Sequence, residues 1–341
     1  MATIKDIAKR TGLGLATISK YINGGTVRER NKIAIEAAIS ELGYKTNEFA
    51  RGLRTNRSYT IGVVIPELCN TFITTILSET EDILRKSGYS MIVSDCRTDE
   101  QRERQAIQFM LDKHIDGIIN MPVTNDGSHL QPAIERGIPI VLIDRLIAEL
   151  KDKVSAVLVD NVKASKDATR TLIQSGHSSI GIVLGPEAIF TSQQRLLGYN
   201  QSLIQNGIVP HRQYIQFSDY TIQGGYESVK RLMSDAKPTA IYVTNYEMTI
   251  GAVIALNDMR LNIPNDISLI GFDNMPLSRT IRPRLTIVSQ PLEEIASAAA
   301  DIILPSLRKN EPIHQCKTIT LTTQILEGNS VRFYTKTGKE S

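Results

Sequence analysis

The chain has 341 residues, of which 41% are hydrophobic, 22% charged and 5% aromatic; this composition excludes a disordered or fibrous protein. At roughly 100–200 residues per domain, two or three domains are expected. Its 39 Lys and Arg face 36 Asp and Glu, but residues 1–57 hold eleven basic and five acidic groups, a net +6, which leaves −3 for the rest. A small basic head on a mildly acidic body predicts that the head meets a polyanion and the body does not. Met1-Ala2-Thr3-Ile4-Lys5-Asp6 has no apolar signal core, and no stretch reaches the roughly 18 apolar residues of a spanning helix, so a cytoplasmic protein with no membrane partner is expected. Cys69, Cys96 and Cys316 are odd in number and far apart, and the five histidines form no spaced pair, so neither a disulfide framework nor a metal site is expected.

The first predicted element is a short helix capped by Thr3, whose hydroxyl and the Asp6 carboxylate can exchange hydrogen bonds with each other's backbone. Ile4, Ile7 and Ala8 share its inner face, and Gly12 ends it. A second helix runs from about Leu15 to Ile22, burying Ile18 and Ile22, until Asn23-Gly24-Gly25 stops it. Thr26-Val27-Arg28-Glu29 reads as another capping box, opening a third helix with a stripe of Ile33, Ala37, Ala38 and Leu42. Three short helices, the first two joined by a tight Gly-containing turn, predict a helix-turn-helix.

From Tyr59 on, short β-branched runs alternate with helical stretches. Strands are predicted at Ile61 to Ile65, Met91 to Ser94, Gly117 to Asn120 and Ile140 to Ile143. The series repeats with Ala156 to Val159, Ile180 to Leu184, Tyr214 to Phe217, Ala240 to Val243, Ser268 to Gly271 and Thr286 to Val288. Apolar strands separated by amphipathic helices specify parallel sheets covered on both faces, so the body is expected to be a two-lobed α/β unit with a cleft between the lobes. No catalytic motif stands out. Gly12-Leu13-Gly14 lacks the third glycine of a dinucleotide fingerprint, Thr337-Gly338-Lys339-Glu340 lacks the P-loop hydroxyl, and Gly-x-Ser-x-Gly does not occur. An enzyme and a cofactor are therefore not expected.

Thr3-Ile4-Lys5-Asp6-Ile7-Ala8-Lys9-Arg10, Ala16-Thr17-Ile18-Ser19, Ile22-Asn23 and Glu41-Leu42-Gly43-Tyr44 closely resemble the N-terminal domain of LacI/GalR-family transcription regulators. The likeness continues through Thr60-Ile61-Gly62-Val63-Val64, Asp116-Gly117-Ile118-Ile119, Ser268-Leu269-Ile270-Gly271-Phe272-Asp273 and Leu285-Thr286. It implies an all-α helix-turn-helix head over residues 1–46, a hinge over 47–57, and a periplasmic-binding-protein-like body of doubly wound parallel sheets over 58–341. The lobes of that body are expected to cross near 158–164 and 286–292. It also implies a homodimeric repressor on double-stranded operator DNA, with the affinity set by a small molecule. The implied DNA-contacting residues are Thr3, Leu15, Ala16, Thr17, Ser19, Lys20 and Asn23 in the head and Asn47, Ala50, Arg51, Leu53 and Arg54 in the hinge. Leu15, Ala16 and Lys20 are implied to read base edges, Thr17, Ser19 and Asn23 mostly phosphates, and Leu53 to enter the minor groove as a wedge. The hinge departs from the family in Tyr44-Lys45-Thr46-Asn47, which lacks the usual proline, and in Gly52, a poor helix former. It is expected to fold only on DNA.

Ligands of doubly wound lobes gather at the carboxyl ends of the strands. The polar and aromatic residues nearest those ends are Phe72, Asp144, Arg145, Tyr220, Asn245, Asp273 and Gln290, joined by Arg195 in Gln194-Arg195-Leu196. Carboxylates and guanidinia each bond adjacent hydroxyls, and aromatic faces cover the C–H face of a sugar ring, so the set predicts a monosaccharide effector, a pentose ahead of a hexose. It also resembles the pocket of ribose-type periplasmic binding proteins. A phosphorylated sugar or a nucleobase is the alternative effector, and a sugar-binding transport component the alternative function.

Overall fold

Thr3 opens the first helix in the way its spacing predicts. In a computed structural model, which describes residues 2–22, 25–44, 57–273, 275–307 and 316–334, the Thr3 hydroxyl accepts from the Asp6 N–H at 3.4 Å while the Asp6 carboxylate accepts from the Thr3 N–H at 2.8 Å. The helix α1 spans Ile4–Thr11 and stops at Gly12, whose φ of +67° is left-handed and free of strain only in glycine. Helices α2 (Leu15–Ile22) and α3 (Glu29–Leu42) complete the head around buried Ile7, Ile18, Ile35 and Ala38. Arg10 of α1 pairs with Glu41 of α3 at 2.9 Å.

Helix α3 differs from expectation in two respects. Arg28, not Thr26, stands at its N-cap, and no side chain makes the cap bond. Ile35 and Ala38 are buried, whereas Ile33 is 60% exposed and Ala37 is exposed. Residues two apart on a helix lie about 200° apart, so Ile33 and Ile35 cannot both face the core; Ile35, with Ala38, Ile39 and Leu42, takes the inner stripe.

Met1–Ser58 and Tyr59–Ser341 are separate units of the fold. In the second, β1 (Thr60–Ile65), α4 (Thr71–Lys86), β2 (Ser90–Asp95), α5 (Glu100–Asp112), β3 (Gly117–Asn120), α6 (Gln131–Glu135), β4 (Ile140–Ile143) and β5 (Ser155–Val159) follow in turn. The chain then makes α7 (Asn161–Gln174), β6 (Ile180–Leu184), α8 (Phe190–Gln205), β7 (Ile215–Phe217), α9 (Ile222–Asp235), β8 (Ala240–Val243), α10 (Tyr246–Asp258), β9 (Ser268–Phe272), α11 (Met275–Thr280) and β10 (Thr286–Ser289). Helix α12 (Leu292–Ser306) and strands β11 (Thr318–Leu321) and β12 (Gln324–Leu326) end the series.

Two six-stranded sheets result, ordered β11-β5-β4-β3-β1-β2 and β12-β10-β9-β8-β6-β7. The first is wholly parallel; in the second, β12 runs antiparallel to β10. The strand at 155–159, expected to begin the second series, instead pairs with β4 and ends the first. Strands β11 and β12 were not expected; they are short edge strands, Thr-Ile-Thr-Leu and Gln-Ile-Leu. The chain passes between sheets after β5, after β10 and between β11 and β12, and after β10 it returns through α12, whose Ile295, Ala296, Ala299 and Ile303 pack on the first sheet. Parallel strands with helices on both faces send every strand's carboxyl end to one edge, and the two edges face each other across the cleft.

Candidate functional site

The cleft gathers all eight residues named from the sequence: Phe72, Asp144, Arg145, Arg195, Tyr220, Asn245, Asp273 and Gln290 line one cavity of about 860 Å³, open solvent included. Asp144 follows β4 and Asp273 follows β9, each third from the same end of its sheet. Both turn through a left-handed backbone, φ +71° and +62°, and so do Tyr220 at +65° and Thr98 at +54°, which line the same cavity. Non-glycine residues in this region are strained, and their clustering in one cavity is typical of a functional site. Neighbouring strands hold the two aspartates there: the Asp144 N–H donates to Val157 O at 3.1 Å, and the Asp273 N–H to Val288 O at 2.7 Å.

Arg195 is 5% exposed and is held within its own lobe through two of its nitrogens. Its Nε donates to Asn161 Oδ1 at 2.8 Å and its Nη1 to the Thr244 carbonyl at 2.6 Å, and its guanidinium lies 3.9 Å from the Phe272 ring centroid. Asp273 accepts from Gln290 Nε2 at 2.8 Å. Burial pushes the Asp273 carboxyl up to about 7 against the pull of Arg195 and Gln290, and the charges of Asp144 and Glu247 push it the same way. Gln290 lines the cavity, and its Oε1 is buried with no hydrogen-bond partner.

In the first lobe, Arg145 donates from Nη1 to Pro122 O at 2.8 Å and approaches Asp144 Oδ2 with Nε at 3.4 Å. Its guanidinium lies 5.9 Å from the ring of Tyr220 in the other lobe. Tyr220 is fixed by hydrogen bonds of its hydroxyl to Thr191 at 3.1 Å and Ser192 at 3.0 Å. Gly185 makes room for it, since a Cβ there would sit 2.0 Å from the ring. Asn245, expected to offer its amide to a ligand, has both ends engaged: Oδ1 accepts from the Met248 N–H at 3.0 Å and Nδ2 donates to Glu247 at 2.9 Å. Phe72 stands in the first turn of α4, its N–H bonded to Asn70 Oδ1 at 3.0 Å.

Glu67, Asn70, Thr98 and Asp219 also line the cavity and were not read from the sequence. Glu67 follows β1 with only Pro66 between, so extending the strand-end search by one residue finds it. Burial raises the Glu247 carboxyl, and the Glu67 charge facing it from the other lobe raises it further. Burial also raises Asp219, but donation from the Thr221 hydroxyl and N–H outweighs it and holds the carboxyl below its usual range. With Glu67, Asp144, Asp219 and Asp273 set against Arg145 and Arg195, acidic groups outnumber basic ones in the cavity wall.

In the head, α2 turns Leu15 (48% exposed), Ala16 and Lys20 outward, while Thr17 and Ser19 are half-buried at its sides. Gly25 closes over the end of the helix with its N–H on Lys20 O at 2.8 Å, where a Cβ would meet that oxygen at 2.9 Å. The Thr3 hydroxyl donates to Asp6 Oδ2 at 2.7 Å while it caps α1. Asn23 and the hinge positions Asn47, Ala50, Arg51, Leu53 and Arg54 lie outside the described residues. No described helix is long and apolar enough to cross a membrane.

The family described as bacterial regulatory proteins, lacI family, matches residues 3–47, and the one described as periplasmic binding proteins and sugar binding domain of LacI family matches residues 58–336. Catabolite control protein A of Priestia megaterium is 34% identical over 90% of this chain and 93% of its own length. The HTH-type transcriptional repressor CytR of Escherichia coli (strain K12) is 32% identical over 90% of each chain. A LacI family transcriptional regulator from Enterococcus faecium, solved with bound ribose, superposes with a TM-score of 0.71 at 25% identity over 81% of this chain and all of that one. The basic helix-turn-helix head and the two-lobed body with its lined cleft accord with these matches: the chain belongs to the LacI family and is a DNA-binding transcriptional repressor with an effector domain of the family's sugar-binding type.

Proposed function

We propose that the cleft binds a free monosaccharide, a pentose ahead of a hexose, and that this binding controls operator affinity. The observation that carries the reading is the convergence of Asp144 and Arg145 from one lobe with Arg195, Asp273 and Gln290 from the other on a single cavity. Vicinal hydroxyls both donate and accept, and so suit a wall that sets carboxylates beside guanidinia. Phe72 and Tyr220 bring aromatic rings to the cavity wall, the kind of surface that covers the C–H side of a sugar. The surplus of carboxylates in the cavity wall disfavours a phosphorylated sugar through like-charge repulsion. The ribose bound to the Enterococcus faecium regulator points the same way.

Outward-facing Leu15, Ala16 and Lys20 read base edges in this scheme, with Thr17, Ser19 and Asn23 on phosphates and the 47–57 segment, through Leu53, at the operator centre. The chain acts as a homodimer. Ile222 on α9 and Ile254 on α10, each 42% exposed on two helices that pack together, supply apolar surface for a second copy. Effector and DNA then alter each other's affinity by the same factor.

A thermal-shift screen against pentoses, hexoses, their phosphates and nucleobases tests the reading. A ligand at 100 times its dissociation constant stabilises the fold by about 2.7 kcal/mol. Stabilisation by a free pentose or hexose is expected; stabilisation by phosphates or nucleobases alone would overturn the effector assignment.

A further inference from the structure

Residues 122–128, which follow β3 in the first lobe, make a contact that the effector site does not use. Asn125 donates from Nδ2 to the carbonyl of Ala188, 2.8 Å away, in the turn after β6 of the second lobe. Asn125 is exposed and lies outside the cavity lining.

The segment is braced at its base. Buried Glu103 of α5 accepts from the Val123 N–H at 3.3 Å with each carboxylate oxygen, and Glu149 accepts from the Gly127 N–H at 2.7 Å. Asp126 accepts from the Ser128 N–H at 2.9 Å and pairs with Arg104. Gly127 lies against Leu150 so closely that a Cβ there would meet its Cδ1 at 2.6 Å. Both ends of the contact are wired to the cavity: Arg145 bonds the Pro122 carbonyl at the start of the segment, and Ala188 sits between Pro186 and Ile189, which line the cavity just before the helix that carries Arg195.

We propose that Asn125 is a positioning residue whose amide ties this braced strap to the turn before α8 and thereby sets the spacing of the lobes at which the cavity residues converge. A strap fixed at Val123, Asp126 and Gly127 cannot follow a receding partner, so loss of the Asn125 donor releases the second lobe rather than being absorbed locally. The role is independent of which small molecule the cleft takes.

Single-molecule fluorescence transfer on the full chain tests it, with dyes carried by unnatural amino acids at exposed Lys113 and Lys230, one on each lobe, and labelled protein diluted into excess unlabelled chain. Asn125→Ala is expected to raise the ratio of separated to closed molecules roughly three- to tenfold, the scale of one hydrogen bond. Asn125→Asp, which cannot donate and sets a carboxylate against a carbonyl oxygen, goes at least as far; Asn125→Gln, which keeps the donor, stays nearer the native distribution. Identical distributions for the native chain and Asn125→Ala would overturn the proposal, as would an Asn125→Gln variant displaced as far as Asn125→Asp.

Discussion

Asp144 and Asp273 stand at matching places in the two lobes, after the third strand from the same end of each sheet, with the same left-handed turn and the same bond to the next strand. Their surroundings differ. The Asp144 partner is its chain neighbour Arg145, and the pair is held by a backbone carbonyl, with side chains 16% and 12% exposed. Asp273 draws on distant parts of the chain, Arg195 from α8 and Gln290 from the end of β10. One fold device thus serves two ends: a locally assembled charged pair in the first lobe, and in the second a network that joins Asp273 to buried Arg195 and Gln290 from distant parts of the chain.

The contrast predicts unequal responses to the same substitution. Arg195→Ala leaves Asn161 Oδ1 and the Thr244 carbonyl without their donor and Asp273 without its cation, and should cost about 3–5 kcal/mol in urea unfolding. A cost no larger than that of Arg145→Ala would break the comparison. Asp273→Asn should stabilise the protein at neutral pH. Burial raises the folded-state pKa to about 7 from an ordinary value near 4, so stability is full below about pH 4 and is lost as pH rises through about 7. The asparagine removes that loss, a gain on the order of 2–4 kcal/mol at pH 7.5 that vanishes near pH 3. Denaturation curves across that range check the sign, and a gain independent of pH would contradict it.

Smaller effects refine the picture. Arg145→Ala removes the bond to Pro122 O and should cost about 1–2 kcal/mol by the same urea measurement. Tyr220→Phe keeps the ring beside Arg145 but deprives the buried hydroxyls of Thr191 and Ser192 of a partner, for about 0.5–1.5 kcal/mol in thermal or urea unfolding. A loss of several kcal/mol there would mean that the ring's placement, and not only its hydroxyl, depends on that bond.

The sequence disclosed the parts of this architecture that are local and regular. Ten β-branched runs became strands, and Thr3 and Gly12 bound α1 because a capping box and a left-handed glycine act over a few residues. Seven of the eight cavity residues named from the sequence were legible near strand ends because parallel sheets send the carboxyl ends to one edge; Arg195, inside α8, was not. Non-local features were not legible. Strands β11 and β12 are only four and three residues long and owe their places to pairing with β5 and β10, far away in the chain; the Thr-Ile-Thr-Leu alternation of β11 suits a strand but does not name its partner. The phase of α3 was misread because Ile33 and Ile35 are equally apolar and only packing against Ile7 and Ile18 selects between them. Asn245 was legible as a cavity residue but not as the cap of α10, and Glu67 and Thr98 lie two and three residues beyond the ends of β1 and β2.

Calorimetric titration of the full chain and of Arg195→Ala with a panel of free pentoses and hexoses, each beside its phosphate, tests the central claim most directly. The account predicts that a free monosaccharide binds the native chain, that its phosphate binds more weakly, and that Arg195→Ala abolishes the binding. A phosphate that binds more tightly than its free sugar, or a sugar whose affinity survives Arg195→Ala, would contradict it.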